Sequence, residues 1–339
     1  MKIDFHFYLV YALAKKCGFD REIGNGETES QLIAYASQYV DDNNESQVIG
    51  LMEEDGNPEI SGSERGGDAD RVWEVHRYQK FPWAVRIRET KNFFRPVMTR
   101  TLFFKSLFPM FQRYLFVPFH FLPGDPEKVP EIKGRKNPWS TTPNSRNAVR
   151  ILASALESGD LYRIGVALHT FADTWSHQNF SGFEDDWNAA GSIFLPDIGH
   201  AEVMEKPDTI SEKWVDRRLH LEIDNVERAR DAVREIFHWL SKYRNPGLKW
   251  EDVKDEFEEF LQSKNMDERI KRVKALYPGE DLEYEEDLEK KWIYKALEYD
   301  SETGEVMGKE GFFRSHWYRF QCAAQKQLAT VIPFFPEDA

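Results

Sequence analysis

Apolar residues recur at helical spacing along most of the chain, and strand-like alternation is weak throughout. The pattern predicts an apolar helix over residues 3–17, with Asp4 a candidate N-cap and Gly18 a stop just past its end. Thr28-Glu-Ser-Gln31 is a capping box; it opens a helix that carries Ile33, Ala36, Ser37 and Val40 on one side and closes at Asp41-Asp42. A polar, Gly-rich loop is expected from Glu53 to Asp70, then an aromatic and basic segment to Leu122. Five prolines and two glycines between Pro123 and Ser145 make a long irregular connection. Ser145 or Asn144 then caps a helix from Arg146 to Glu157, ended by Gly159. A long amphipathic helix is predicted from Trp214 to Tyr243, on the spacing of Val215, Leu219, Ile223, Val226, Val233, Phe237 and Leu240. Two or three charged helices over 250–298, a turn from Ser301 to Gly311 and a last helix from Phe312 to Ile332 complete the series. The expected fold class is all-α: a single large helical domain with an acidic helical elaboration near its C-terminus.

One predicted helix stands apart. Between Asp160 and Gly182 the only charged side chains besides the acid of His169-Thr-Phe-Ala-Asp173-Thr-Trp-Ser-His177 belong to Arg163. At about 100° per residue, Ile164, Leu168, Phe171 and Trp175 share one face. His169, Asp173 and His177 fall on the other, beside Tyr162, Val166 and Thr170. A helix apolar on one side and uncharged on the other reads as central and buried. There a carboxylate between two imidazoles needs a partner, because an unpaired buried charge is costly. A bound cation meets that need; a hydrogen-bonded His–Asp pair in the core is the alternative.

Composition narrows the field. A chain of 339 residues, 41% hydrophobic and 14% aromatic, can bury a sizeable core. The net charge of −14 is concentrated in residues 205–230 and 251–311, which argues against duplex nucleic acid as a partner. Cys17 and Cys322 alone support neither a disulfide framework nor a thiolate zinc site, so a cytoplasmic protein is expected. The N-terminal segment makes a poor signal peptide, since Asp4 and His6 interrupt its apolar run. No uncharged apolar run approaches the roughly 20 residues needed to span a bilayer.

Four residues outside the central helix suit a metal: His6 in an apolar helix, Asp41 closing a capped one, His120 bracketed by Pro118 and Pro123, and His200 after Gly199. Each has a plain reading as a core imidazole, a solvated acid or a loop residue. His76, His220, His238 and His316 lie in amphipathic segments among Arg, Glu, Lys and Trp and are set aside, as is the second HxxxD, His220 to Asp224. Glu235-x-x-His238 is half of a di-iron signature whose second copy is missing.

In this order of residues the chain resembles the zinc-dependent phospholipase C and single-strand nuclease superfamily. His169-Thr-Phe-Ala-Asp173-Thr-Trp-Ser-His177-Gln-Asn-Phe-Ser looks like that superfamily's H-x-x-x-D, later His and Asn-Phe. It also resembles a set of bacterial proteins that begin Asp-Phe-His and carry Ser-Gln-Tyr-Val-Asp-Asp, here residues 37–42. The resemblance implies an all-α phospholipase C-like fold holding up to three zinc ions, with iron or manganese also compatible. It makes His6, Asp41, His120, His169, Asp173, His177 and His200 the metal ligands, and Asp173 and Asp41 the candidate catalytic acids. Asp173 would bridge two metals, one completed by His169, His120 and Asp41, the other joined by His6. His177 and His200 would hold a third. The superfamily places a Glu four residues after the last His; position 204 is Met here, which leaves Glu202 or Glu205 to complete that site. In secreted members the processed N-terminal amine also binds metal. Met1 stands five residues before His6, so Asp4 is an alternative ligand for that site.

The domain organisation expected is a metal-binding core over residues 1–245 and an acidic helical extension over 246–339 whose last helix packs back on the core. The expected function is metal-dependent hydrolysis of a small anionic substrate, a phosphoester. The alternatives are a noncatalytic, metal-stabilised helical protein and a scaffold without metal. Lys133, Arg135, Lys136, Arg146 and Arg150 flank the Pro-rich connection and could guide an anion, although such a run is more often a solvated loop.

Overall fold

A computed structural model describes residues 1–24, 26–47, 49–51, 93–94, 96–101, 103–192, 194–284 and 291–336. The predicted loop at 53–70, and the part of the aromatic and basic segment before Phe93, lie outside them.

The first predicted helix forms, but in two windings: π-helical over Asp4–Leu9 and α-helical over Val10–Lys16 (α1). The capping box forms as expected. Thr28 Oγ1 accepts from Gln31 N and the Gln31 side chain accepts from Thr28 N, starting α2 (Glu29–Tyr39). Ser145 caps α3 (Arg146–Ser158), which Gly159 ends in the left-handed region at φ 66°. Asp160 then caps α4 (Leu161–Ser176), and every residue of α4 from Ile164 to Ser176 is buried, as expected of a central helix. Helices α5 (Asn225–Arg244), α6 (Lys254–Leu261), α7 (Met266–Leu276), α8 (Trp292–Ala296) and α9 (His316–Val331) are the other α-helices of five residues or more among the described residues. One hydrophobic core runs through them, from Phe5 and Leu9 through Leu168 and Phe237 to Phe257 and Phe320.

The fold is not all-α. About 52% of the structure is helix and 11% strand, with three small sheets, so it is a mixed α/β protein. Two sheets are hairpins, Glu22–Gly24 with Glu27–Thr28 and Lys213–Asp216 with Leu221–Asp224; the third joins Ile49–Gly50, Phe93–Phe94, Val306–Gly308 and Leu297–Tyr299. Strands of two to four residues are too short to write an alternating pattern that a sequence window can separate from helix. The clearest case is residues 214–224, predicted as the start of a helix. They form a hairpin in which Trp214 and Ile223 pair across the strands and turn inward while Val215 is 57% exposed, and α5 starts only at Asn225 behind the Asp224 cap. The turn expected at Ser301–Gly311 likewise contains a strand, and the last α-helix starts behind the Ser315 cap rather than at Phe312.

Close packing of α2 on α4 sets the position of the interior histidines. A Cβ at Gly165 would lie 2.6 Å from both the Ala36 Cβ and the Ile33 carbonyl, so only glycine lets the two backbones approach this closely. That approach brings the Ser37 carbonyl within 2.9 Å of His169 Nδ1.

Candidate metal centre

Eight side chains, five His and three Asp, gather in three groups, the first two sharing His169: His6, His169 and Asp173; Asp41, His120 and His169; and His177, His200 and Asp208. Helix periodicity supplies His169 and Asp173, one turn apart on α4, and His177 at its C-cap. His6 sits in the π-wound turn, a widened winding that recurs at functional sites. His120 ends a short helix, Val117–Phe119, that comes after a second π-wound segment, Gln112–Phe116; the backbone N–H groups of His120 and Phe121 both donate to Phe116 O. Asp41 comes off the end of α2. His200 comes directly after Gly199, where φ is +52° and a Cβ would fall 2.4 Å from the Phe121 ring, whose face stacks on His177.

Asp173 is the hub. Its Oδ1 lies 2.5 Å from the Met1 amine and 3.1 Å from His6 Nε2; its Oδ2 lies 3.2 Å from His169 Nε2, 3.3 Å from His120 Nδ1 and 3.7 Å from His177 Nδ1. Asp41 Oδ1 stands 3.8 Å from His169 Nε2 and 4.0 Å from His120 Nδ1. Asp208 Oδ1 is 3.1 Å from His177 Nε2, and its Oδ2 is 3.2 Å from His200 Nε2.

Four of the five rings have their proton placed by the backbone. His120 Nε2 donates to Thr99 O, His169 Nδ1 to Ser37 O, His177 Nδ1 to His120 O and His200 Nδ1 to Met204 O, at 2.7–2.9 Å. A carbonyl only accepts, so in each neutral ring the other nitrogen carries a lone pair. Those nitrogens point inward, at one another and at carboxylates: His169 Nε2, His120 Nδ1 and Asp173 Oδ2 form a triangle with sides of 3.2–3.3 Å. Converging lone pairs repel unless positive charge lies among them. A proton on one nitrogen answers one contact, whereas a cation answers several. Outward bonds of this kind are what orient metal-bound imidazoles. His6 differs, since its Nδ1 has no partner among the described residues.

The electrostatics pull the members in different directions: burial lowers His120 and His200, but Asp173 and Asp41 raise the first and Asp208 the second, whereas burial prevails at His177 and lowers it. Burial raises the Asp173 carboxyl, but His177, the Met1 amine, His169 and His6 outweigh it and hold the group well below the usual carboxylate range. Asp208 is likewise held low, against burial, by the Met1 amine, His200 and His177. Burial, His169 and the Met1 amine push His6 down to about 3, so that ring is neutral at neutral pH. The Met1 amine is raised to about 11, because Asp173, Asp208 and Asp41 outweigh its burial.

All seven residues singled out from sequence lie in this cluster, and the eighth, Asp208, was missed. Neither Glu202 nor Glu205 takes its place. Glu202 accepts from the backbone of Ala190 and Ser192, and Glu205 pairs with Lys2 at the surface. Asp208 lies beyond a run of turns through Met204, whose φ is 57°, so no regular spacing ties it to His200; the Pro207-Asp208 turn is the only local cue. Asp4 is not a ligand either, because it is buried against the Arg269 guanidinium of α7. Of the basic run, Arg135 pairs with Asp185 and Asp186, and Arg146 with Asp125 and Glu127. His220 lies in the exposed hairpin turn, and Asp224 caps α5.

Fold and site together define a helix-dominated α/β protein with an interior His/Asp centre. The chain belongs to the family described as "Family of unknown function (DUF6765)", whose profile matches residues 1–334. No curated protein and no solved structure matches it. No helix among the described residues is long and apolar enough to cross a membrane.

Proposed function

We propose that this protein is a metal-dependent hydrolase of phosphoesters, working through water activated by one to three metal ions held in the His/Asp centre. The observation that carries the reading is the set of imidazoles bonded outward to carbonyls, with their inner lone pairs converging on Asp173 and Asp208. Zinc suits this mixture of imidazole and carboxylate, and iron or manganese accepts the same donors. Asp173 reaches two of the three groups through both its oxygens, the position of a bridging ligand. The inner nitrogens of His120, His169, His177 and His200 would complete the sites. Asp41, whose side chain is 30% exposed, stands where solvent and substrate reach the cluster. That open edge favours a catalytic centre over the alternative of a noncatalytic, metal-stabilised protein, whose ligands would be saturated by side chains. When bound, the metal supplies hydroxide near neutral pH and positive charge for the departing oxygen. Asp41 on the open side would orient the attacking water and take its proton.

On this reading the protein is a relative of the zinc-dependent phospholipase C and single-strand nuclease superfamily, acting in the cytoplasm on a small anionic substrate rather than on duplex nucleic acid. Protein purified without added metal, measured by inductively coupled plasma mass spectrometry and assayed on bis(4-nitrophenyl) phosphate and 4-nitrophenyl phosphate, tests it. The expected result is bound transition metal together with turnover that a chelator abolishes and zinc restores. Metal without turnover of either ester leaves the noncatalytic protein; no metal at all removes both.

A further inference from the structure

The far end of the central helices holds a cavity of about 800 Å³, within the range of small-molecule sites. Its walls come from α8, the first two turns of α2 and α9, the first turn of α4, the hairpin around Ile23 and Glu27, and Asp281 and Glu283, and none of the eight cluster residues lines it. Tyr162, on its wall, precedes Asp173 by eleven residues of α4, about 16 Å along the axis. The cavity is therefore separate from the metal centre, and a ligand bound in it is independent of the hydrolase reading.

Two features of the lining point to a ligand. Tyr35, Trp292 and His316 form an aromatic stack that ends at the cavity, the first two buried and the His316 side chain 39% exposed: the Tyr35 and Trp292 centroids are 4.2 Å apart at 27°, and those of Trp292 and His316 are 5.2 Å apart at 16°. Tyr162 Oη holds His316 Nδ1 at 2.9 Å and fixes that ring. Around this wall stand Lys295, Arg314 and Arg319, all exposed; none lies within ion-pair distance of an acid among the described residues, although Arg319 hydrogen-bonds the Tyr162 side chain and Lys295 acts on Glu27 from further away. The acids that share the lining are occupied elsewhere. Asp160 caps α4, Glu283 pairs with Lys274, and Asp281 accepts from Glu283 N. Glu27 is the exception, 3.6 Å from His316, and burial pushes it up to about 6. His316 itself is pushed down to about 4, by burial first and then by Arg319 and Lys295, so that pair is not a salt bridge at neutral pH. The N-terminal ends of three helices add partial positive charge to that of the three cations.

We propose that this cavity binds a small organic anion in which a phosphate or carboxylate is joined to a planar ring, the ring against the aromatic wall and the anion at Lys295 and Arg319. Isothermal titration calorimetry of the full chain, with and without chelator, tests it with three probes: adenosine 5′-monophosphate, 4-hydroxybenzoate and inorganic phosphate. At least one ring-bearing anion should bind whether or not chelator is present, and more tightly than phosphate. Which one binds separates a nucleotide from an aromatic acid. The double variant Lys295→Gln/Arg319→Gln changes only exposed side chains, and it should weaken chelator-independent binding by about tenfold or more, as loss of two charge-assisted contacts would. The proposal is overturned if neither ring-bearing probe binds at millimolar concentration, if phosphate alone binds equally well, or if the double variant binds like the parent.

Discussion

Replacing Asp173 by Asn changes charge at the hub while keeping its shape. The side chain is 1% exposed and its two oxygens lie within 3.7 Å of five nitrogens, so no other single substitution touches as many members of the cluster. If each lost ion is present at about a hundred times its dissociation constant, it stabilises the folded chain by about 2.7 kcal/mol, and losing two removes about 5 kcal/mol. For a chain of 339 residues, an unfolding entropy of about 2.1 cal/mol/K per residue turns that into a melting temperature lowered by about 7 °C. The assay pairs metal content per chain with thermal unfolding, each with and without chelator. Parent protein should lose metal and melt lower when chelated. Asp173→Asn should carry at most one ion and show little further response to chelator. Equal metal content in parent and variant, or an equal chelator response, would refute the argument that converging lone pairs on this carboxylate recruit cations.

Asp208→Asn should lower metal content by about one ion while Glu205→Gln leaves it unchanged, because Asp208 faces both His177 and His200 whereas Glu205 faces Lys2 at the surface. The same mass spectrometric measurement decides it, and a loss in Glu205→Gln instead would show that the third site is built differently. Glu27 gives a pH prediction with a definite sign. Its folded-state value of about 6 lies above the ordinary 4.5, so its contribution is intact below 4.5, and stability falls as pH rises from there to about 6. Glu27→Gln should therefore match the parent at about pH 4 and exceed it at about pH 7 by roughly 1 kcal/mol or less, solvent at its partly exposed side chain screening the effect. Chemical denaturation at the two pH values measures this, and an equal difference at both would exclude ionisation of Glu27 as the cause.

Much of the framework was legible because its determinants are local. Thr28 and Gln31, Ser145 and Gly159 act within one helical turn of themselves, and the structure uses each as a cap or stop. The HxxxD of α4 was legible for the same reason, since i and i+4 share a helix face. The hairpin at 213–224 was not. Val215 and Leu219 stand at helical spacing, yet Trp214 and Ile223 turn inward because they pair across two strands, and Asp216 is buried because Arg218 folds back on it over the Phe180 ring. The all-α expectation failed on short strands of this kind.

By itself the sequence determined where α2 begins and where α3 begins and ends, that α4 is buried, and which histidines and acids sit on apolar segments, because these depend on turn chemistry and periodicity along a few residues. Only the tertiary structure decided that segments around positions 6, 41, 120, 169 and 200 meet, that Asp208 rather than Glu202 or Glu205 joins them, and that Asp4 turns to Arg269 instead. Those outcomes depend on how closely α2 and α4 approach at Gly165 and on which backbone carbonyl each imidazole finds. Contacts between segments tens to hundreds of residues apart leave no fixed spacing in the chain.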